Sequence, residues 1–255
     1  MTITESIKVN SLQANTVGGL DEISRVTKRT RRHYVVHGEE VPSVTTVLKL
    51  WPKPALYMWY AKRGREAVAE YLSEYLGEPI SMGLLENAVA EAKTAPQRDA
   101  KEAADLGTMA HELISMELAG HKVTVPPELD SVMRSFHDWQ HDEHLTLVDT
   151  ETAVYADSYA GTIDALFKRD NGSFLLVDWK TSKQIYSPEY DVQVHSYVDA
   201  ISESVKGSVE IDGQIVRLGK EEPEFEVKTL DNHTYSLDKL WKSALAFHAA
   251  LEEAK

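Results

Sequence analysis

The spacing of apolar residues changes character near residue 145. Before it, they recur at three- and four-residue steps; after it, they alternate or run together over short stretches. From Ala55 to about Leu76 the helical step carries Leu56, Trp59, Tyr60, Ala67 and Tyr71, and Gly77 and Pro79 stop it. A second helical stretch covers about 82 to 93, and a third runs from about Ala100 to Ala119, with Gly120 as its stop. Pro126 and Pro127 open another, to about His144. Residues 145 to 155, 160 to 168 and 173 to 180 then read as strands, the last two joined by a turn at "DNG", 170 to 172. A helix from about Glu189 to Ser202 follows Pro188, then two strands in "SVEIDGQIVRL" and "EFEVKTL", and an amphipathic helix from Tyr235 to Ala254. Upstream, "RHYVVHGEEVPSVTTVLKL" reads as a β-hairpin turning at Gly38, followed by a short apolar segment. This order predicts an α/β fold: a mixed β-sheet flanked by helices, with an N-terminal helical region. The expected organisation is a flexible tail over 1–20, a hairpin and helical region over 21–100, and the core over 101–255. No repeat or low-complexity segment interrupts it.

Composition narrows the chemistry. The 255 residues suffice for one core, or one core with a small helical annex. There is no cysteine, which excludes disulfides, thiolate zinc sites and iron–sulfur clusters. No apolar run approaches the roughly 20 residues of a membrane span, and the N-terminus lacks a signal pattern, so a cytoplasmic location without membrane partners is expected. The net charge of −14 argues against a nucleic-acid partner until its distribution is examined. From Arg25 to Arg65 ten Lys and Arg face only Glu39 and Glu40, a segment of +8 that leaves −22 elsewhere. Arg31, Arg32, Lys62 and Arg63 belong to it, interleaved with Tyr34, Trp51, Tyr57, Trp59 and Tyr60. Such a stretch suits a phosphate backbone and unstacked bases; a solvated basic face with aromatic core residues fits the composition too.

The strand "FLLVDWK" ends a nearly continuous apolar run on two charges. Alternation puts Leu176, Asp178 and Lys180 on one face and turns Trp179 to the other. Asp/Glu-x-Lys occurs five times in the chain, so the spacing alone says little. Glu226–Lys228 is the strand-borne rival, but its strand alternates as a half-exposed edge does. Asp164, in "GTID", lies on the strand paired to 173–180 and can approach Asp178 across it. Two close carboxylates repel unless a proton or cation sits between them, and a hard divalent ion resolves the conflict. His111, in "LGTMAHELISMEL", shares a helix face with Gly107 and either adds a nitrogen ligand or serves the packing. Gln193 and Tyr197 are four apart on the helix after the Asp–Lys strand, so both can point at the same place.

Gly-Thr-x-x-His on a helix, then Gly-Thr-Ile-Asp, Val-Asp-Trp-Lys-Thr-Ser-Lys and Gln-x-x-x-Tyr resembles the RecB-like branch of the PD-(D/E)xK nucleases, in particular its phage and mitochondrial exonuclease-like members. The early segments at Pro42 to Leu48 and Trp59 are similar as well, and the likeness spans roughly residues 33 to 200. The motif acid is often Glu in that family, and here it is Asp178. The resemblance implies a restriction-endonuclease-like core using Mg²⁺ or Mn²⁺ and no iron–sulfur cluster. By position, Asp164 and Asp178 would ligate metal, joined by His111 and the Trp179 carbonyl, with Glu151 as an auxiliary ligand. Lys180 would position or deprotonate the attacking water and stabilise the phosphate; Gln193 and Tyr197 would orient the site or hold substrate. The implied function is a metal-dependent DNA nuclease, an exonuclease on single strands or ends, in recombination, repair or DNA degradation. A recombination or single-strand-binding protein is an expected partner, and a phage-encoded protein would act in the host cytoplasm. A non-catalytic DNA-binding module on a decayed nuclease fold and an acidic interaction protein with a structural Asp–Lys pair are the other two readings.

Overall fold

The computed structural model describes all residues except 1, 17–22, 29–30, 206–208 and 231–234. In chain order the elements are β1 (Thr2–Ser6), α1 (Ser11–Thr16), β2 (Ser24–Lys28), β3 (Arg31–Val36), β4 (Glu39–Pro42), α2 (Val44–Leu48), α3 (Pro54–Ser73) and α4 (Met82–Leu118). A 3₁₀ turn (Pro127–Leu129) leads into α5 (Asp130–Asp142), then β5 (Leu145–Ala156), β6 (Tyr159–Arg169) and β7 (Phe174–Lys180). The chain closes with α6 (Glu189–Ser204), β8 (Ile211–Leu218), β9 (Phe225–Leu230) and α7 (Tyr235–Glu253). It divides into two compact units, one of Met1–Trp51 with Ala110–Lys255, the other of Pro52–Met109. This division differs from the consecutive segments expected from the sequence: the larger unit takes in both the first 51 residues and everything from Ala110.

The larger unit is built on a mixed five-stranded sheet in the order β5-β6-β7-β8-β9. All neighbours are antiparallel except β7 and β8, which run parallel with α6 as their crossover. The β6–β7 turn closes at Gly172, whose φ of 89° suits glycine. Apolar side chains on both faces explain why β7 reads as a continuous apolar run. On one face Leu166, Leu176 and Ile215 pack with Val194, Tyr197 and Ile201 of α6 and Trp241 of α7. On the other, Trp179 meets Trp139 of α5 edge-on at 4.8 Å and Phe136 at 5.5 Å between ring centres. Trp179 thus faces away from Asp178, as alternation requires. Lys228 of the rival Glu226–Lys228 pair binds Asp191 in the first turn of α6, 2.7 Å away, and Glu226 binds Arg217.

Strands β1 to β4 form an antiparallel sheet in sequence order. Ile23, Tyr34, Val36 and Val41 share a core with Ala153, Tyr155 and Ala160 of β5 and β6. Within residues 1–20, expected to be a flexible tail, β1 pairs with β2, and the start of α1 is fastened to β5. Asp149 accepts from Lys8 Nζ and from the Ser11 N–H, each at 2.7 Å. Gln13 Nε2 donates to Tyr155 O and Ser204 Oγ, each at 2.7 Å. These anchors are polar, so hydrophobic periodicity does not register them.

In the smaller unit, α3 lies against residues of α4. Two separate helices were expected around 82–93 and 100–119, yet α4 is continuous through Pro96. Proline donates nothing to the carbonyl four residues back, here that of Ala92. Gly64 of α3 sits where a Cβ would come within 3.0 Å of Ala92 O, so the α3 backbone covers that carbonyl. Among the described residues, no helix is long and apolar enough to cross a membrane.

Candidate active site

Three acids line up across three strands. Thr150 pairs with Ala165 and Thr152 with Ile163, which sets Glu151 opposite Asp164. Ala165 pairs with Val177, and one further step sets Asp164 opposite Asp178. Regular pairing lapses at both places. Glu151 has a φ of 49°, a left-handed conformation that is costly for a side-chain-bearing residue and concentrates at functional sites. Between β6 and β7 the Trp179 N–H donates to Asp164 Oδ2 at 2.8 Å, a side-chain bond beyond the last paired residues.

Helix α4 brings in His111, whose Nδ1 lies 3.2 Å from Asp164 Oδ1. Thr150 Oγ1 donates to Asp164 O at 2.9 Å and lies 3.1 Å from Ser115 Oγ of α4, which pins that helix end to the strands. One donor atom each from His111, Glu151 and Asp164 falls within 4.8 Å of the others. Burial opposes the charged imidazole of His111, but Asp164 outweighs it and lifts the pKa to about 9. Burial likewise opposes ionisation of Asp164, yet His111, Lys180 and the Trp179 N–H together hold its carboxyl below the usual range. Glu151 still reaches water, but the surrounding protein partly desolvates its carboxyl, and this together with the Asp164 charge pushes it up to about 7. Two carboxylates that repel one another, with an imidazole nitrogen alongside, are a set a divalent cation relieves, so these residues fit Mg²⁺ or, with the imidazole, Mn²⁺.

Asp178 and Lys180 form the other half. Lys180 Nζ lies 2.5 Å from Asp178 Oδ2 as a buried ion pair. Gln193 of α6 bridges them: its Nε2 donates to Asp178 Oδ1 at 3.1 Å and its Oε1 accepts from Lys180 at 3.2 Å. Nε2 also reaches the Tyr197 hydroxyl at 3.3 Å, and Lys180 sits 4.6 Å above the Tyr190 ring. Burial holds Asp178 above its ordinary pKa despite Lys180, with Asp164 adding repulsion. Burial works against the Lys180 charge, but Asp178 and Asp164 prevail and raise it. Gly161 is required because any Cβ there would collide with the Tyr197 ring.

Of the residues singled out from the sequence, Asp164, Asp178, Lys180, His111, Gln193, Tyr197 and Glu151 therefore gather in one place. Trp179 enters it through its backbone N–H. Arg31 and Arg32 stand on β3 with side chains outside the described residues. Lys62 is exposed and 3.5 Å from Glu66, and Arg63 pairs with Asp99 and Glu70, so its guanidinium is engaged within the smaller unit. Sequence reasoning missed Tyr190. Its signal was the spacing 190, 193, 197, steps of three and four on one helix face.

A family model described as the PD-(D/E)XK nuclease superfamily matches residues 54–254. No curated protein matches the chain. Among solved structures, LHK-Exo in complex with dAMP is 15% identical, with a TM-score of 0.36, covering 58% of this chain and 80% of that one. An alkaline exonuclease, LHK-Exo, from Laribacter hongkongensis is 14% identical, with a TM-score of 0.35, over 58% and 79%. The structure of SSO0001 is 13% identical, with a TM-score of 0.31, over 72% and 85%.

Proposed function

This chain belongs to the PD-(D/E)XK nuclease superfamily, and from that premise we propose that it is a divalent-metal-dependent DNA nuclease acting exonucleolytically on single strands or ends. The observation that carries the reading is the junction of two half-sites at Asp164: a cation-binding set with His111 and Glu151 on one side, the Asp178–Lys180–Gln193 network on the other.

His111, Glu151 and Asp164 would hold the ion, with Asp178 adjoining. When bound, a divalent ion supplies Lewis-acid charge to a phosphoryl oxygen and lowers the pKa of water. Lys180 is kept as an ammonium by the flanking carboxylates, which suits a fixed positive donor toward charge growing on the phosphate rather than a base. Gln193 and the Tyr190 ring hold that ammonium in place, so little reorganisation accompanies the reaction. Tyr197 braces Gln193 in turn. Recombination, repair or DNA degradation in the cytoplasm is the setting this activity suits.

The test uses end-labelled DNA as linear single strands, linear duplex and circles, with Mg²⁺ or Mn²⁺, and with EDTA and Lys180→Ala as controls. The expected result is metal-dependent loss of label from linear substrates, sparing circles, with the Lys180 variant lowered at least about 100-fold. Cleavage that persists in EDTA, or a fully active variant, overturns the catalytic assignment. Rapid cutting of circles overturns the exonuclease part alone.

A further inference from the structure

Helix α6 carries a second constellation on the side turned from Gln193. His195 and Asp199 are one helical turn apart and project together, and Asp238 stands in the first turn of α7, which packs on α6. One donor atom from each lies within 4.8 Å of the other two. His195 is only 5% exposed, and neither of its ring nitrogens has a hydrogen-bond partner. Buried polar atoms are nearly always satisfied, so an imidazole with two orphaned nitrogens beside two carboxylates calls for an explanation.

We propose that His195, Asp199 and Asp238 form a structural divalent-metal site, suited to Zn²⁺, that ties α6 to α7. One imidazole nitrogen and two carboxylate oxygens, with a water, complete the four-coordinate shell zinc prefers; magnesium takes imidazole poorly. Donors in such a shell are about 3.4 Å apart, so the two aspartates, both partly exposed, rotate inward on binding. The Tyr159 hydroxyl, 3.1 Å from Asp199 Oδ2, orients one ligand from behind. Burial keeps His195 below its ordinary pKa and hence neutral, the form that ligates. Lys242, 2.8 Å from Asp238 along α7, is a largely exposed counter-charge of the kind that holds weakly and yields to a divalent ion. Because α6 also carries Gln193 and Tyr197, the clamp would steady the helix that supports Lys180. None of this depends on the nuclease reading.

The site is tested by titrating Zn²⁺ against a chromophoric chelator in wild type, in His111→Gln/Asp164→Asn, and in each with Asp238→Asn added, while following Tm. The His111→Gln/Asp164→Asn protein should keep one equivalent of zinc and gain Tm on binding it, with Mg²⁺ giving no such gain. Adding Asp238→Asn, a change at a partly exposed position in the first turn of α7, should weaken that equivalent at least about 100-fold and abolish the Tm gain. His195→Gln should do the same, and Tyr159→Phe should weaken binding about 10- to 100-fold. Zinc binding untouched by Asp238→Asn in both backgrounds, or no equivalent retained once the active-site donors are gone, overturns the proposal.

Discussion

Lys180 and Asp178 meet where little water reaches, with side chains 15% and 4% exposed. Removing one partner of such a pair leaves the other buried and uncompensated, which costs about 3 kcal/mol or more; removing both charges costs much less. Lys180→Met should therefore lower stability in urea by about that amount, and adding Asp178→Asn should restore most of it while activity stays lost. An additive double variant would show the two side chains to be energetically independent. At Glu151 the sign is the opposite. Its carboxyl is partly desolvated and crowded by Asp164, and its backbone is left-handed, so the residue works against folding when no cation is bound. Glu151→Gln should be about 1 kcal/mol more stable than wild type in EDTA, after allowance for solvent screening at this exposed position, and should lose most of the stabilisation that Mn²⁺ gives. Equal stability in EDTA would remove the repulsion argument. The sequence made Asp178 and Lys180 conspicuous because charges ending an apolar strand are rare, and Asp164 because its strand pairs with theirs through the turn at 170 to 172. It could place Glu151 only beside the site, since the left-handed turn that aims it depends on the β5–β6 pairing.

Among the elements, α4 diverges most from the pattern of its residues. Pro96 reads as a break because a proline interior to a helix forfeits a hydrogen bond and crowds the preceding turn, at about 3 kcal/mol. The helix nevertheless continues, and Gly64 of α3 lies close over Ala92 O, the carbonyl that Pro96 leaves without an amide donor, where a Cβ would be crowded. Gly64→Val should separate the two helices and cost about 1–3 kcal/mol, read as a lowered Tm, whereas Gly83→Val, with nothing near its Cβ position, should cost far less. Equal losses at the two positions would mean that helix propensity, not contact, sets the cost. The segment 7–16 reads in the sequence as part of a flexible tail for a related reason. Asp149, Asn10 and Gln13 anchor it by hydrogen bonds, and polar residues in a polar stretch carry no periodic signal.

At the scale of the molecule, metal and stability are linked. An ion that binds the folded chain and not the unfolded one adds about 2.7 kcal/mol at 100 times its Kd. Mn²⁺ should shift the urea midpoint of the wild-type protein accordingly, and Asp164→Asn should forfeit the share that belongs to the active site; a midpoint indifferent to Mn²⁺ would remove the cation-binding reading of His111, Glu151 and Asp164. The α/β class, the strands of the mixed sheet and the Asp–Lys strand end were legible in the chain because they rest on local alternation, turn residues and the rarity of charge in an apolar run. Membership of the nuclease superfamily was legible for the same kind of reason, as short motifs in a fixed order. The tertiary structure alone decided which donors gather around Asp164, what holds Lys180, that α4 runs on through its proline and that His195 lies buried where α6 faces α7. Each of these is a meeting of residues far apart in the chain, fixed by strand register, helix rotation and burial, and no local pattern encodes such a distance.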